Sequence, residues 1–329
     1  MASSAVSQAN LVAKVLAKHW RISEPATRTH LGVSSATWQI GSLYWLSQAE
    51  QARAAELSQQ TNLLSDLDCY LKNERSSICV TEIVPSAGGC LIEVDGEYVW
   101  CLTRNLPGFQ VDVADPEMYP VLAEGLARFH RALRLFSEHQ ATSVADGICV
   151  RARQSIARLA TERFVAFTPD PREEEVLQQA AAWLLPRLDR FEHLPRQIVH
   201  GDWTPRNVLF DRADQPVRLT GVLDFEALAS DPVDVDLASI CSTLLMWSGL
   251  DRLDERIASV LETYERSAGV HLERADLHTA ALAHWLCHYW RWRDRLQFGE
   301  FGEFGHEVKD RLCLRISSVL SYVSRGREN

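Results

Sequence analysis

The sequence predicts an α+β protein of two lobes, with a small antiparallel sheet in the first lobe and mostly helices in the second. Residues 26–48 alternate in polarity, are rich in Thr, Val, Trp and Tyr, and contain turn points at Gly32 and Gly41, which is typical of antiparallel strands. From residue 116 onward, apolar side chains recur mainly at three-to-four spacing, which is typical of helices. A chain of 329 residues is long enough for two packed lobes, and we place their boundary between residues 105 and 106.

The first lobe is predicted to combine helices and strands in alternation. Leu11, Val12, Val15, Leu16 and Trp20 recur at helical spacing, so an amphipathic helix opens the chain. A turn at residues 95–97 splits the last apolar segment of the lobe into two strands. After the opening helix we expect two or three strands within 26–48, a helix over 49–67, and strands over 78–84 and 91–102.

The second lobe is predicted as a series of helices around one strand-rich stretch. A helix begins near Pro116 and carries His130, which we expect to pack at the edge of the core. Pro171 suits a helix start. The remaining helices are predicted at 151–164, 172–192, after 231–238 as far as Trp247, 251–268, 273–297 and 303–324.

The strand-rich stretch, residues 198–226, carries three polar groups at strand ends. Asp202 and Asn207 lie in the loop HGDWTPRN between two apolar runs, and Asp224 follows a third apolar run. Side chains at strand ends are held by a rigid frame and can be directed toward one point. A carboxylate can orient the proton of an attacking hydroxyl, and an Asn oxygen with a second carboxylate can hold Mg²⁺. The pattern therefore indicates phosphoryl transfer.

The order HGDxxxxN followed by DFE resembles the aminoglycoside phosphotransferase and choline-kinase-like family of small-molecule kinases. Protein kinases share this order, but they carry Arg at the position of Gly201 and Gly at the position of Glu226. The resemblance implies a two-lobe protein-kinase-like fold, with residues 1–105 as the nucleotide-binding lobe and 106–329 as the catalytic and acceptor-binding lobe. It implies catalysis by Asp202, bracing of the loop by His200 and Asp236, stabilisation of phosphate charge by Arg206, and Mg²⁺ ligation by Asn207 and Asp224.

The resemblance also implies a nucleotide site in the first lobe, for ATP or GTP. The Lys that kinase-like folds place on the third strand aligns with Ser47, and its helix partner aligns with Gln60 or with Glu56. Arg53, on the same helix, is our candidate for the missing cation; Arg28 and Arg104 are alternatives. The predicted nucleotide-binding residues fall into three groups, together with Leu209. Gly32, Ser34 and Ser35 lie in the loop over the phosphates, Ser47 and Arg53 are expected near the phosphates, and Leu102 and Thr103 are expected beside the adenine.

Charge and cysteine usage limit the partners that we expect. The net charge of −10 disfavours binding to nucleic acid. The eight cysteines are dispersed without a CxxC pair, which is typical of a reduced, cytoplasmic protein. We expect no signal peptide and no membrane span. The expected partners are a nucleoside triphosphate and a small hydroxylated acceptor; the oligomeric state is not predicted.

The identity of the acceptor is left open by the sequence. An antibiotic fits, and so does an amino alcohol, amino acid or sugar of metabolism. The acidic second lobe favours a cationic acceptor, although the same charge also serves solubility. Loss of the strand Lys at Ser47 leaves a third interpretation, a pseudokinase-like binding module. His284 and His288 have the i, i+4 spacing of metal ligands but no obvious third ligand, so we expect no metal there.

Overall fold

A computed structural model of the chain describes residues 2–29, 36–139, 147–161, 171–211, 217–247, 252–297 and 305–325. Its contacts divide the chain into two compact units. Unit 1 consists of Met1–Phe109 and Leu209–Glu226, and unit 2 consists of Gln110–Val208 and Ala227–Asn329. Unit 1 thus includes the DFE segment, which is distant in sequence. The assignment of one function to residues 1–105 and another to 106–329 stays a prediction.

Helices and strands alternate in the first part of the chain, and helices dominate the rest. In chain order the elements are α1 (Ala2–Val15), β1 (Ala26–Thr29), β2 (Ala36–Ile40), β3 (Tyr44–Glu50), α2 (Ala54–Asn73), β4 (Cys79–Val80), β5 (Glu93–Asp95), β6 (Tyr98–Arg104), α3 (Met118–His139), α4 (Ile148–Thr161), α5 (Pro171–Glu192), β7 (Gln197–Val199), β8 (Val208–Asp211), β9 (Arg218–Val222), β10 (Ala229–Asp231), α6 (Asp234–Trp247), α7 (Leu253–Ala268), α8 (Arg274–Gln297) and α9 (Gly305–Arg325). The predicted α+β class is confirmed.

Unit 1 is built on a five-stranded antiparallel sheet in the order β1-β2-β3-β6-β5. Alternate residues of its strands point to one face, where Trp38, Leu46 and Trp100 pack against Val12 and Leu16 of the first helix. Burial of these large apolar side chains on both partners stabilises the contact between sheet and helix. The opposite face of β3 carries Ser47, which is paired with Cys101 of β6.

Two features of unit 1 differ from the expectation. The opening helix begins at Ala2 and continues as a π-helical turn over Leu16–Trp20, so it is longer than the apolar repeat suggested. Within the predicted strand 78–84, Cys79–Val80 form the short β4, which pairs in parallel with β9, and Ile83 forms an isolated antiparallel bridge with Thr103 of β6. Val80 is fully buried, which accounts for the apolar character of this segment. A short apolar run does not reveal whether the strand pairs in parallel or antiparallel fashion.

Unit 2 packs its helices around a two-stranded sheet of β7 and β10. The predicted apolar face of α3 is confirmed, because Leu122, Leu126, Phe129 and Leu133 are all fully buried. Strand β10 was not predicted; its three residues register against β7, and the following helix begins at Asp234. A strand so short gives no period in the sequence.

The eight cysteines are free thiols, in agreement with the absence of a predicted disulfide framework. Among the helices of the described ranges, none has the length and apolar character required to cross a lipid bilayer.

Candidate active site

The loop from His200 to Asn207 joins β7 to β8, and its glycine is required by the geometry. Gly201 has φ 81°, a left-handed conformation that suits glycine. A Cβ atom there would lie 2.1 Å from the backbone oxygen of Ala227, closer than real atoms approach. The residue that distinguishes HGD from the protein-kinase pattern is therefore fixed by a close approach of two backbones.

A buried carboxylate holds the start of this loop. Asp236, at the first turn of α6, accepts hydrogen bonds from the backbone N–H of His200 at 2.8 Å and of Gly201 at 2.6 Å. The ring of His130 contacts the same carboxylate, with Nε2 at 2.8 Å from Oδ2. The predicted brace by Asp236 is confirmed.

His130 has a definite role in this brace, which the sequence did not indicate. A carboxylate only accepts, so His130 carries its proton on Nε2 and donates it to Asp236. Its Nδ1 lies 2.8 Å from the hydroxyl oxygen of Tyr264, within hydrogen-bonding distance. The partners are 106 and 134 residues away in sequence, so no local pattern reveals them.

The environment of Asp236 keeps it ionised although it is fully buried. Burial alone would raise the pKa of its carboxyl group, because a charge is less stable away from water. The hydrogen bond and the charge of His130, together with His200, act in the opposite direction and hold the pKa below its usual value. Asp236 is therefore an ionised carboxylate that accepts three hydrogen bonds.

Asp202 and Asn207, near the two ends of the loop, are joined by hydrogen bonds. The side-chain nitrogen of Asn207 donates to the backbone oxygen of Asp202 at 2.9 Å and to its carboxylate at 3.1 Å. The amide nitrogen makes both contacts, so the amide oxygen is the atom available to a cation. The backbone N–H of Asp202 lies 3.3 Å from Nδ1 of His200. The carboxylate of Asp202 is thus oriented by its own loop.

The other two predicted residues of the loop differ in their surroundings. The ring of His200 is fully buried and meets Trp203 edge-on, with 5.8 Å between ring centroids. Trp203 in turn stacks on Phe129 of α3. Arg206 has an exposed side chain, and its backbone oxygen accepts from Gln110 at 2.6 Å. His200 is therefore held as a core residue, whereas a role of Arg206 toward phosphate stays a prediction.

The DFE segment of unit 1 presents Asp224 in a strained backbone conformation. Asp224 is exposed and has φ 58°, a conformation that costs non-glycine residues on the order of 1–3 kcal/mol. Phe225 beside it is buried, which anchors the segment. Strain of this kind is concentrated at functional sites.

The helix α2 reaches the DFE segment through Gln60. The side-chain nitrogen of Gln60 donates to the backbone oxygen of Glu226 at 3.4 Å and to Glu56 at the same distance. Arg53 donates to both oxygens of Glu56, at 3.2 Å each. Gln60 of α2 therefore contacts the DFE segment, and the carboxylate of Glu56 is paired with Arg53.

The remaining predicted nucleotide-binding residues lie on the sheet of unit 1 and beside it. The hydroxyl of Ser47 donates to the backbone oxygen of Cys101 at 3.3 Å, and that of Thr103 to Trp45 at 3.4 Å. Leu102 is buried in the core, and its carbonyl accepts from Val84. Leu209 is buried on β8. Their contacts with a nucleotide stay predictions; Gly32, Ser34 and Ser35 lie outside the described residues.

Two histidines of α8 lie beside Asp202. A ring nitrogen of His284, one of His288 and a carboxylate oxygen of Asp202 are all within 4.8 Å of one another. The rings of the two histidines are in contact, with 4.3 Å between their centroids. The i, i+4 spacing was visible in the sequence, but the third group comes from a distant loop. The expectation that the pair lacks a third ligand is therefore wrong.

Comparison with known proteins identifies the family. The model of the phosphotransferase enzyme family (APH) matches residues 31–278. No curated protein sequence matches the chain. An aminoglycoside phosphotransferase from Streptomyces rimosus, solved with ADP and streptomycin, is similar in structure. It has a TM-score of 0.58 and 19% identity, over 80% of this chain and 92% of that chain.

Two further structures extend the likeness over nearly the whole chain. A microcompartment-associated aminopropanol kinase matches with a TM-score of 0.65 and 17% identity, over 96% of each chain. The aminoglycoside phosphotransferase APH(2")-IIia, solved with GDP and kanamycin, matches with a TM-score of 0.61 and 14% identity, over 96% of this chain and 99% of that one. The chain belongs to the phosphotransferase enzyme family, as a small-molecule phosphotransferase with the protein-kinase-like fold.

Proposed function

We propose that this enzyme transfers the γ-phosphate of ATP or GTP to a hydroxyl group of a small molecule. Asp202 accepts the proton of that hydroxyl as its oxygen attacks phosphorus, a contribution worth roughly 10²–10⁴ in rate. The nucleoside diphosphate leaves with the electrons of the broken P–O bond. His200 and Asp236 hold the loop, and Arg206 balances the charge that develops on the phosphoryl group.

The observation that supports this proposal most directly is the fixed orientation of the Asp202 carboxylate. Asp202 is partly buried and is oriented by Asn207, while the backbone before it is bound to Asp236. A base that must meet a hydroxyl in one geometry benefits from such support, because its orientation is fixed before the substrate binds.

The donor atoms suit the metal ion that such transfers use. Asn207 has an amide oxygen available, and Asp224 has an exposed carboxylate; Mg²⁺ prefers oxygen ligands of these kinds. When bound, Mg²⁺ neutralises charge on the nucleotide phosphates. We propose Asn207 and Asp224 as its ligands.

The nucleotide is proposed to bind through the residues named from the resemblance. Arg53, directly before α2, supplies the positive charge that Ser47 lacks when its guanidinium group exchanges the carboxylate of Glu56 for the phosphates. Gly32, Ser34, Ser35, Leu102, Thr103 and Leu209 complete the proposed set.

The acceptor class is proposed only in outline from the neighbours. The neighbours include complexes with streptomycin and with kanamycin and an aminopropanol kinase, so proteins of this fold bind antibiotics or act on an amino alcohol. We propose a small hydroxylated acceptor and a cytoplasmic location, in keeping with the free thiols.

Calorimetry with each nucleotide, with and without Mg²⁺, tests the proposal. We expect Mg²⁺-dependent binding that is weakened in Asp224→Asn, and phosphoryl transfer that is lost in Asp202→Asn while nucleotide binding is kept. Glu262→Gln removes an exposed carboxylate of unit 2 and should change neither. Absence of nucleotide binding, or full transfer activity in Asp202→Asn, would contradict the proposal.

A further inference from the structure

A cavity of about 320 Å³ lies within unit 2, between α4 and α8. Its volume is near the lower end of the range of roughly 300–1,000 Å³ that is usual for small-molecule sites, so it suits a small ligand. The side chains that matter for its chemistry are Arg151 and Arg158 of α4 and His284, His288, Trp290 and Asp294 of α8.

This cavity adjoins the group proposed as the catalytic base. His284 and His288 line it, and a ring nitrogen of each lies within 4.8 Å of a carboxylate oxygen of Asp202. Gly201, the residue before Asp202, lines the cavity as well. A hydroxyl placed against Asp202 would therefore leave the rest of its molecule in this space.

One of the two guanidinium groups in the cavity is already neutralised. Arg158 forms a bidentate ion pair with Asp294, with N–O distances of 2.8 and 2.6 Å. The same group stacks over the ring of Trp290, 4.2 Å from its centroid. Arg158 is thus held by partners on α8, and its charge is balanced before any ligand binds.

Arg151 is in a different situation. It forms no ion pair with any residue in the described ranges, and its Nε atom is buried without a hydrogen-bond partner. Both oxygens of the nearby carboxylate of Asp231 accept from the backbone N–H of Ile148. Burial raises the pKa of Asp231 to about 6, and the charge of Arg151 acts in the opposite direction, so Asp231 lies close enough to balance part of that charge but leaves the Nε donor of Arg151 without a partner. A buried, unpaired donor on a cation costs stability unless a ligand completes it.

We propose that the acceptor of this enzyme carries an anionic group, a carboxylate or a phosphate, that pairs with Arg151. The inference rests on the proposed function, since it names the acceptor of the same site. A guanidinium group binds such anions through two parallel hydrogen bonds. A polycationic acceptor would instead bring ammonium groups next to Arg151. The unpartnered donor of Arg151 thus favours an acceptor with an anionic group, whereas the acidic composition of the second lobe favours a cationic one.

Binding of simple probes tests this directly and without nucleotide. Gluconate, glycerate and inorganic phosphate are titrated calorimetrically, and gluconate and glycerate are compared with glucitol and glycerol, their neutral counterparts. We expect at least one anion to bind more tightly than its neutral counterpart or, for phosphate, to give measurable binding. Arg151→Met should weaken that binding at least about tenfold, since hydrogen bonds to charged groups are worth that much.

Matched variants separate the site from general effects. Arg153→Met removes a cation from the same helix whose side chain pairs with Asp189 instead, and it should leave anion binding unchanged. Arg151→Lys keeps the charge but loses the planar fork, and we expect intermediate affinity with an unfolding temperature close to the parent's. If Arg151→Met unfolds, the Lys variant carries the test.

The outcomes distinguish this inference from the proposed function. If no anion binds preferentially, or if Arg151→Met and Arg151→Lys bind anions like the parent, the inference is wrong. Transfer to a cationic acceptor with no anion binding would sustain the proposed function and overturn the inference. Anion binding through Arg151 in a protein that transfers phosphate to no hydroxyl would sustain the anion site and overturn the proposed function.

Discussion

Replacing Asp236 by Asn should loosen the catalytic loop more than any conservative change on the surface. The carboxylate receives three hydrogen bonds, from two backbone amides and from His130, and all of them are buried. Asn keeps one accepting oxygen, so its NH₂ group must face a donor. Removal of one partner from a buried charged pair costs roughly 3–5 kcal/mol. We expect a loss of about that size in the free energy of unfolding.

Two measurements check this effect. Denaturant unfolding gives the change in stability, and hydrogen exchange with mass spectrometry follows the amides of His200 and Gly201 in the peptide spanning residues 198–208. In Asp236→Asn these amides should exchange faster. In Tyr264→Phe, which removes only the hydroxyl beside His130, we expect a loss of about 0.5–1.5 kcal/mol.

Unchanged exchange at His200 and Gly201 would refute this reasoning, because it would mean that the loop does not depend on Asp236. A stability within about 1 kcal/mol of the parent, the size of one ordinary hydrogen bond, would do the same. Glu262→Gln, on the exposed side of α7, is the control for the loss of a carboxylate.

Three further predictions concern the same unit. Gly201→Ala should cost more than about 2 kcal/mol of stability by denaturant unfolding, whereas Gly269→Ala, also at positive φ but in open space, should cost about 1 kcal/mol. Burial raises the pKa of Asp234 to about 6 from 3.8, so ionisation in the folded state costs stability as pH rises through that window. Asp234→Asn should therefore raise the unfolding temperature more at pH 8 than at pH 4.5. Zn²⁺ should inhibit phosphoryl transfer by binding Asp202 with the two histidines of α8, and His288→Gln should relieve the inhibition.

Each of these predictions has a result that would contradict it. Equal losses in the two glycine variants would show that the close contact of Gly201 has no energetic consequence. A gain from Asp234→Asn that is the same at both pH values would exclude its titration as the cause. Zinc inhibition that persists in His288→Gln but disappears in the control His193→Gln, an exposed histidine, would place the metal elsewhere.

The sequence was most informative where function and local pattern coincide. The spacing of Asp202, Asn207 and Asp224 and the apolar runs before them were sufficient to predict the loop, and the helical repeat of α3 predicted its buried face. Asp236 as the brace followed from the resemblance. These features are short-range, or they are shared by the family, so the sequence itself carries them.

What could not be predicted depends on long-range packing. The pairing of His130 with Asp236 and Tyr264 joins three helices, and no spacing in the chain indicates it. The parallel pairing of β4 with β9 joins segments that are 142 residues apart, Cys79 with Gly221. The proximity of His284 and His288 to Asp202 likewise arises from packing, and the balance of charge around Arg151 depends on which acids are already engaged.

The supports of the catalytic loop and the walls of the cavity come from different helices. The loop is held by Asp236 of α6 and His130 of α3, whereas the charged and aromatic side chains of the cavity come from α4 and α8. If the cavity is the acceptor site and Asp202 the base, as proposed above, substitutions on α4 and α8 can change which molecules bind without weakening the support of the loop. A lineage with this arrangement can acquire new acceptors by changing a few wall residues, and directed evolution of specificity should begin with those two helices.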